Sequence, residues 1–366
     1  MSQVTIENPI LNSPFQAPAR HFRFNNDGIT TDIEEKRRAS AFFMPIAHAR
    51  KKGEQALLEY WSNPARERKL FFCQREAVET AVYLAEVAPD TATRGSRTTC
   101  ATRIASTTPG CPASRSRWPP EAGRPWSWPC SSAWQALNKL ENRQDARFSD
   151  AFLVVTPGIT IRDRLRVLLP TDPGNYYRQR DVLPPDLLER LGQARITITN
   201  YHSFLLREKG EAARLTKSIL NRGDSSPFQE NPDQMVRRVC RDLAGKKNII
   251  VINDEAHHCY WRKADAEDET LSPEERAEAK RREEGARVWS SGLLAVQKKL
   301  GVRGVYDLSA TPFFLSGSGY PEGTLFPWVV SDFSLIDAIE SGIVKIPRVP
   351  VADDSMSGET PTYRNI

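Results

Sequence analysis

The stretch Asn248 to Tyr260 reads NIIVINDEAHHCY, an apolar β-branched run that ends abruptly in Asp254-Glu255-Ala256-His257. Adjacent carboxylates at the end of a buried strand can divide two tasks. One can hold Mg²⁺ through water, and its neighbour can polarise an attacking water, the acidic chemistry that nucleoside-triphosphate hydrolysis needs. Asp254 is the candidate for the first task and Glu255 for the second. A second polar ending, Ser309-Ala310-Thr311, follows the β-rich run GVYDLS at Gly304 to Ser309. In a common sheet it would lie beside the first, at the carboxyl edge where α/β proteins place their ligands. Four letters alone carry little weight; the position after a strand and the second ending carry the reading. His257-His258-Cys259 does not read as a metal site, because consecutive residues on one turn cannot easily converge on one ion.

The elements that must position these residues are legible in outline. Short apolar runs, AFLVVT at Ala151 to Thr156, ARITIT at Ala194 to Thr199, NIIVIN at Asn248 to Asn253 and GVYDLS, are separated by helical or loop segments. Such alternation predicts a parallel sheet covered by helices on both faces. Between Gln55 and Val87 two helical patterns are broken at Asn63-Pro64, and AWQALNKL predicts another helix from Ala133. Ser272, Pro273 and Glu275 sign the start of the helix that leads into the last strand. The alternating charges of Glu274 to Arg287 read as its solvated face. Residues 1–54 read as an irregular arm, and no regular period is found from about Pro89 to Ser132.

Composition sets the frame. A chain of 366 residues, 39% hydrophobic, can bury one good core and the start of another. A formal charge of +5 permits a polyanionic partner without requiring one. No apolar run reaches the length of a membrane span and the N-terminus lacks signal-peptide character, so no membrane partner and a cytoplasmic location are expected. The 6 Cys show no close C-x-x-C pair, which argues against a zinc knuckle or a redox motif.

Together the two strand endings resemble those of a superfamily 2 DEAD/DEAH-box helicase motor, with Asp254-Glu255-Ala256-His257 as motif II and Ser309-Ala310-Thr311 as motif III. LVVTPGITIRDRL resembles motif Ia, ITITNYHSF the next strand-end contact, and FFCQREAVETAV the helix that carries an adenine-reading Gln. NIIVINDEAHHCY combined with LSATPFFLSGSGYPEGTLFPWVVSDFSLIDAIESGIVKIPRVPV is most similar to the motor (Res) subunit of type III restriction enzymes and related ATP-dependent restriction endonucleases. The similarity runs from Glu59 to Val351 apart from one gap.

The resemblance implies an α/β fold, a RecA-like P-loop NTPase domain over residues 55–343, with 344–366 the start of a passage to a second such domain. It implies ATP and Mg²⁺ as cofactors, and double-stranded DNA and a DNA-methyltransferase subunit as partners. Glu255, Asp254 and His257 would be catalytic, Asp254 would hold Mg²⁺ through water, and Ser309, Ala310 and Thr311 would couple hydrolysis to movement. Gln74 would read adenine; Thr156, Pro157, Arg162, Arg164, Thr199, Asn200 and His202 would meet nucleic acid. Blander readings stand beside these: Gln74 as an exposed helix residue, Thr156-Pro157 as no more than a strand terminator.

One required part is missing. A motor of this kind cradles phosphates with a glycine-rich loop, and G-x-x-x-x-G-K-[S/T] is absent from the chain. Its expected place is occupied by SRSRWPPEAGRPWSWPCSSAW, Ser114 to Trp134. When possible codons for Arg117 to Pro125 are read from the third base of each, the shifted frame can spell Met-Ala-Thr-Gly-Ser-Gly-Lys-Thr. Residues 89–132 therefore read as an out-of-frame translation of the phosphate-loop region, bounded by compensating frame changes. The expected consequences are disorder there, a poorly covered sheet edge beside the strand ending at Ser309, and no useful ATPase activity. Two functions remain: the N-terminal part of an ATP-dependent DNA translocase of a restriction system, inactive as it stands, or a non-catalytic remnant that binds nucleic acid weakly.

Overall fold

The computed structural model describes residues 13–15, 52–82, 85, 115–118, 124–207, 229–260, 272–309, 333 and 335–344; Ala310 and Thr311 lie outside them. A parallel sheet forms the centre. Its strands are β1 (Arg115–Trp118), β2 (Ala151–Thr156), β3 (Arg195–Asn200), β4 (Ile249–Asn253) and β5 (Val302–Leu308), in the spatial order β1-β5-β4-β2-β3. Every pairing is parallel. The fold is α/β, as the alternation of runs predicts.

Strand periodicity builds two cores. Phe152 and Val154 of β2, with Ile250 and Ile252 of β4, point to one face; Ala151, Leu153 and Val155, with Ile249 and Val251, point to the other. The first face is covered by helices α1 (Lys52–Ser62), α2 (Phe72–Val82), α3 (Arg124–Glu141), α5 (Tyr176–Gln179) and α6 (Pro185–Leu191). The second is covered by α7 (Pro232–Val239) and the long α8 (Pro273–Leu300). The short α4 (Ile159–Arg164) follows β2, and α9 (Leu335–Glu340) packs Ala338 with Phe333 against Cys73 of α2. Central β2 and β4 are buried along their whole length, which is why their sequences are nearly continuous apolar runs.

Local signals placed the helices well. The break between α1 and α2 falls at Asn63-Pro64, and α8 opens at Pro273. Ion pairs one turn apart, Glu278–Arg282 at 3.4 Å and Glu283–Arg287 at 2.6 Å, line the solvated stretch of α8. Gly301 then turns the chain into β5 with φ +74°, where a Cβ would meet the Asn248 Oδ1 at 2.9 Å.

Two expectations for residues 89–132 need correction. Arg115–Trp118 is a strand, paired in parallel with Val305 to Leu308, so the edge of β5 is covered. α3 starts at Arg124, well ahead of Ala133, and its residues 128–132 are buried. The physical reason is that a free sheet edge accepts any backbone that can donate and accept hydrogen bonds, whatever its side chains. Pro129 lies inside α3 and removes one helical hydrogen bond; the helix is held instead by the burial of Trp128, Trp134 and Leu137.

Candidate functional site at the carboxyl edge of the sheet

The strand register brings the polar endings into line. Val155 pairs with Asn253, Asn253 with Asp307, and Thr156 with Asn200, so β2, β3, β4 and β5 end together. Just past β4 the Asp254 N–H donates to the Val155 carbonyl at 2.8 Å, which carries the ladder one residue further and leaves Asp254 only 1% exposed. Glu255 then takes a left-handed backbone, φ 46° and ψ 50°, and the chain enters a 3₁₀ turn over Ala256–Cys259. The His258 N–H closes that turn on the Glu255 carbonyl at 3.0 Å.

Within this turn His257 is the meeting point. Its Nδ1 shares a hydrogen bond with the Ser309 Oγ at 2.8 Å and stands 3.5 Å from the Glu255 carboxylate. Glu255, His257 and Ser309 therefore form one contiguous group. A carboxylate, an imidazole and a hydroxyl in series can hold the ring's orientation and pass a change at one end to the other.

Beneath the group lies a buried network that sequence reasoning missed. The Asn253 side-chain amide donates to Asp307 Oδ1 at 2.7 Å, and its oxygen accepts from the Trp289 indole N–H at 3.0 Å. The Tyr260 hydroxyl donates to the other Asp307 oxygen. Asn253, Asp307 and Trp289 are fully buried, and the network clamps both ends of the 254–259 turn. Its bonded pairs are 36 to 54 residues apart along the chain, so no local pattern announces them; the one available signal was polar residues inside otherwise apolar strands.

The expected nucleic-acid contacts are divided. Thr156 is fully buried and donates its hydroxyl to the Gly158 carbonyl at 2.9 Å, a strand-terminating role. Thr199 is buried with its hydroxyl on the Asn200 carbonyl, and Asn200 caps the 3₁₀ turn Tyr201–Phe204 by accepting from the Ser203 N–H at 3.1 Å. These side chains satisfy strand-end backbone rather than face outward, because a chain leaving a sheet must find new partners for its N–H and C=O groups. Pro157 is half-buried, Arg162 pairs with Asp163 at 2.7 Å, and Arg164 and His202 are exposed on the same edge. Below them Arg238 clamps the turn, donating to the Ser203 and Leu205 carbonyls and to Glu230, whose carboxyl is held below its usual range chiefly by that hydrogen bond.

Gln74 lies in the first turn of α2, 1% exposed, and its Oε1 accepts the Phe71 N–H at 2.9 Å. That bond satisfies a helix-start donor, and the burial of Gln74 corrects the expectation of an exposed helix residue. The next helical N–H, that of Phe72, donates to the Pro14 carbonyl at 2.8 Å, and Phe15 rests on Phe71 with ring centroids 5.6 Å apart.

Two cofactor questions follow from the donor set. Magnesium is ordinarily held by one or two carboxylates together with water and phosphate oxygens. Asp254 with Glu255 beside it fits that partial role, and no group of 3 or more His, Cys, Asp or Glu that could hold an ion occurs among the described residues. A triphosphate would need N–H donors and a cation at its phosphates. The sequence between β1 and α3, Pro119-Pro120-Glu121-Ala122-Gly123, lies outside the described residues and contains two Pro, one Glu and no Lys. Among the described residues no helix is long and apolar enough to cross a membrane. No family model matches this chain, and neither a curated protein nor a solved structure matches it.

Proposed function

We propose that the chain is the N-terminal, RecA-like part of an ATP-dependent DNA helicase or translocase of a restriction system, resembling the type III restriction motor, with its phosphate loop lost to a frame change. The observation that carries this reading is the His257–Ser309 hydrogen bond at 2.8 Å, which joins the two motifs at adjacent strand ends. The strand order supports it as well: β1 lies beside β5 and precedes α3, a strand and a helix that flank the place where the phosphate loop is expected. Glu255 would polarise the attacking water, Asp254 would hold the magnesium ion through water, and His257 with Ser309 would link the turn to the neighbouring strand. The ion would supply charge neutralisation at the phosphates.

A third support is chemical. Among the described residues the Trp128 Nε1 and the Ser131 Oγ are buried without a hydrogen-bond partner. Both belong to the segment read as out of frame. Native interiors rarely leave such atoms unmatched.

The test compares this chain with a version in which residues 89–132 are replaced by the shifted-frame translation. The restored chain should bind Mg-ATP while the present chain does not, with fluorescent-nucleotide titration as the measurement. Any hydrolysis by the restored chain should be lost in Glu255→Gln. A restored chain without nucleotide binding would sink the motor reading. Turnover by the present chain that vanishes in Glu255→Gln would sink the claim that the frame change silences it. Salt-sensitive duplex binding indifferent to nucleotide in both would favour the weak-binding remnant.

A further inference from the structure

The ends of β3 and β4 are joined by one side chain, Trp289 of α8. Its indole N–H donates to Asn253 Oδ1 at 3.0 Å, directly before Asp254-Glu255. The same indole carries the Tyr201 ring in a near-parallel stack, centroids 5.2 Å apart and planes 7° from parallel. Tyr201 in turn holds the exposed His202 ring edge-on at 4.0 Å. α8 reaches this turn closely because Gly292 leaves room for Phe204 and Gly285 for the Tyr201 hydroxyl.

Asn253 has a single orientation that satisfies both partners: its oxygen toward the indole and its amide toward Asp307. Rotating or sliding the indole therefore breaks a buried bond at the root of the carboxylate turn. We infer that Trp289 is a positioning residue that sets the Glu255 turn with the same indole that seats the Tyr201-His202 end of β3, so that a strand of nucleic acid pressed on His202 is felt at Glu255. The coupling rests on the proposed function for its two ligands, whereas the strut itself does not.

Hydrogen–deuterium exchange on the full chain tests it. Trp289→Phe keeps a ring under Tyr201 and removes the N–H, so it should speed exchange at residues 253–260 and leave 201–207 unchanged. Tyr201→Leu should speed both segments, and should add nothing at 253–260 when Phe already stands at 289. Unchanged exchange at 253–260 in Trp289→Phe, or a Tyr201→Leu effect there that is equal in both backgrounds, overturns the strut. If Trp289→Phe does not fold, Tyr201→Leu alone decides: no change at 253–260 overturns it. With a short DNA duplex added, the unsubstituted chain should gain protection at both segments. Trp289→Phe should still bind the duplex and gain protection only at 201–207, a split that mere loss of packing would not give. Protection at both segments in Trp289→Phe overturns the coupling. A duplex that does not bind removes the nucleic-acid reading of the β3 end, and the DNA-free cycle still decides the strut.

Discussion

Glu255 joins a proposed catalytic role to a left-handed backbone, φ 46° and ψ 50°. A Cβ in the left-handed region costs about 1–2 kcal/mol, and strained positions of this kind concentrate where a side chain must be aimed. The strain here directs the carboxylate toward His257, 3.5 Å away. Glu255→Gly should therefore be more stable than Glu255→Ala by about 1 kcal/mol, since both lose the carboxylate and only Gly is relieved of the Cβ. Urea denaturation of the pair measures it, and an Ala variant as stable as the Gly variant would show that no strain resides there. At this scale the sequence revealed the strand-end residues better than their supports. Asp254 and Glu255 were legible as the end of β4 because two acids break an apolar β-branched run. Thr156 and Asn200 were singled out for their place at strand ends, and that place gave them backbone groups to satisfy instead. Asp307 and Trp289 were illegible, because their value lies in partners far away along the chain.

Among the elements, α8 shows how close approach is managed. A Cβ on Gly292 would stand 2.2 Å from Phe204 Cγ, within a buried ring that has nowhere to go. A Cβ on Gly285 would stand 3.2 Å from the Tyr201 hydroxyl, the tip of a half-exposed side chain. Gly292→Ala should lose about 1–3 kcal/mol to overpacking. Gly285→Ala should be near neutral, because roughly 1 kcal/mol of helix propensity offsets a small shift of Tyr201. Thermal melts of the two variants check the contrast; equal losses would mean that the turn yields at both points. Strands β2 to β5 could be read from their apolar runs, each to within a residue or two at its ends. β1 could not, since Arg115-Ser116-Arg117-Trp118 has no β-branched residue and owes its strand state to the open edge of β5. The early start of α3 was hidden by Pro125 and Pro129, and is explained by what the helix buries.

Among the described residues, one core packs on each face of the sheet, and the one that receives α3 carries a defect. The Ser131 hydroxyl is buried in a helix interior without a partner, so Ser131→Ala should stabilise the chain by about 1 kcal/mol or more, from relief of desolvation and from helix propensity. A loss of stability in chemical denaturation would show instead that the hydroxyl is satisfied. The N-terminal contact has a different consequence. Among the described residues, 13–15 are held to α2 by the Phe72–Pro14 hydrogen bond and the Phe15–Phe71 ring pair. Contacts of that kind are worth on the order of 1–3 kcal/mol together, weaker than a millimolar dissociation constant for a detached peptide. Being part of the same chain as α1, the segment has an effective concentration at α2 that a detached peptide lacks. A cut between it and α1 would thus leave residues 13–15 to these contacts alone.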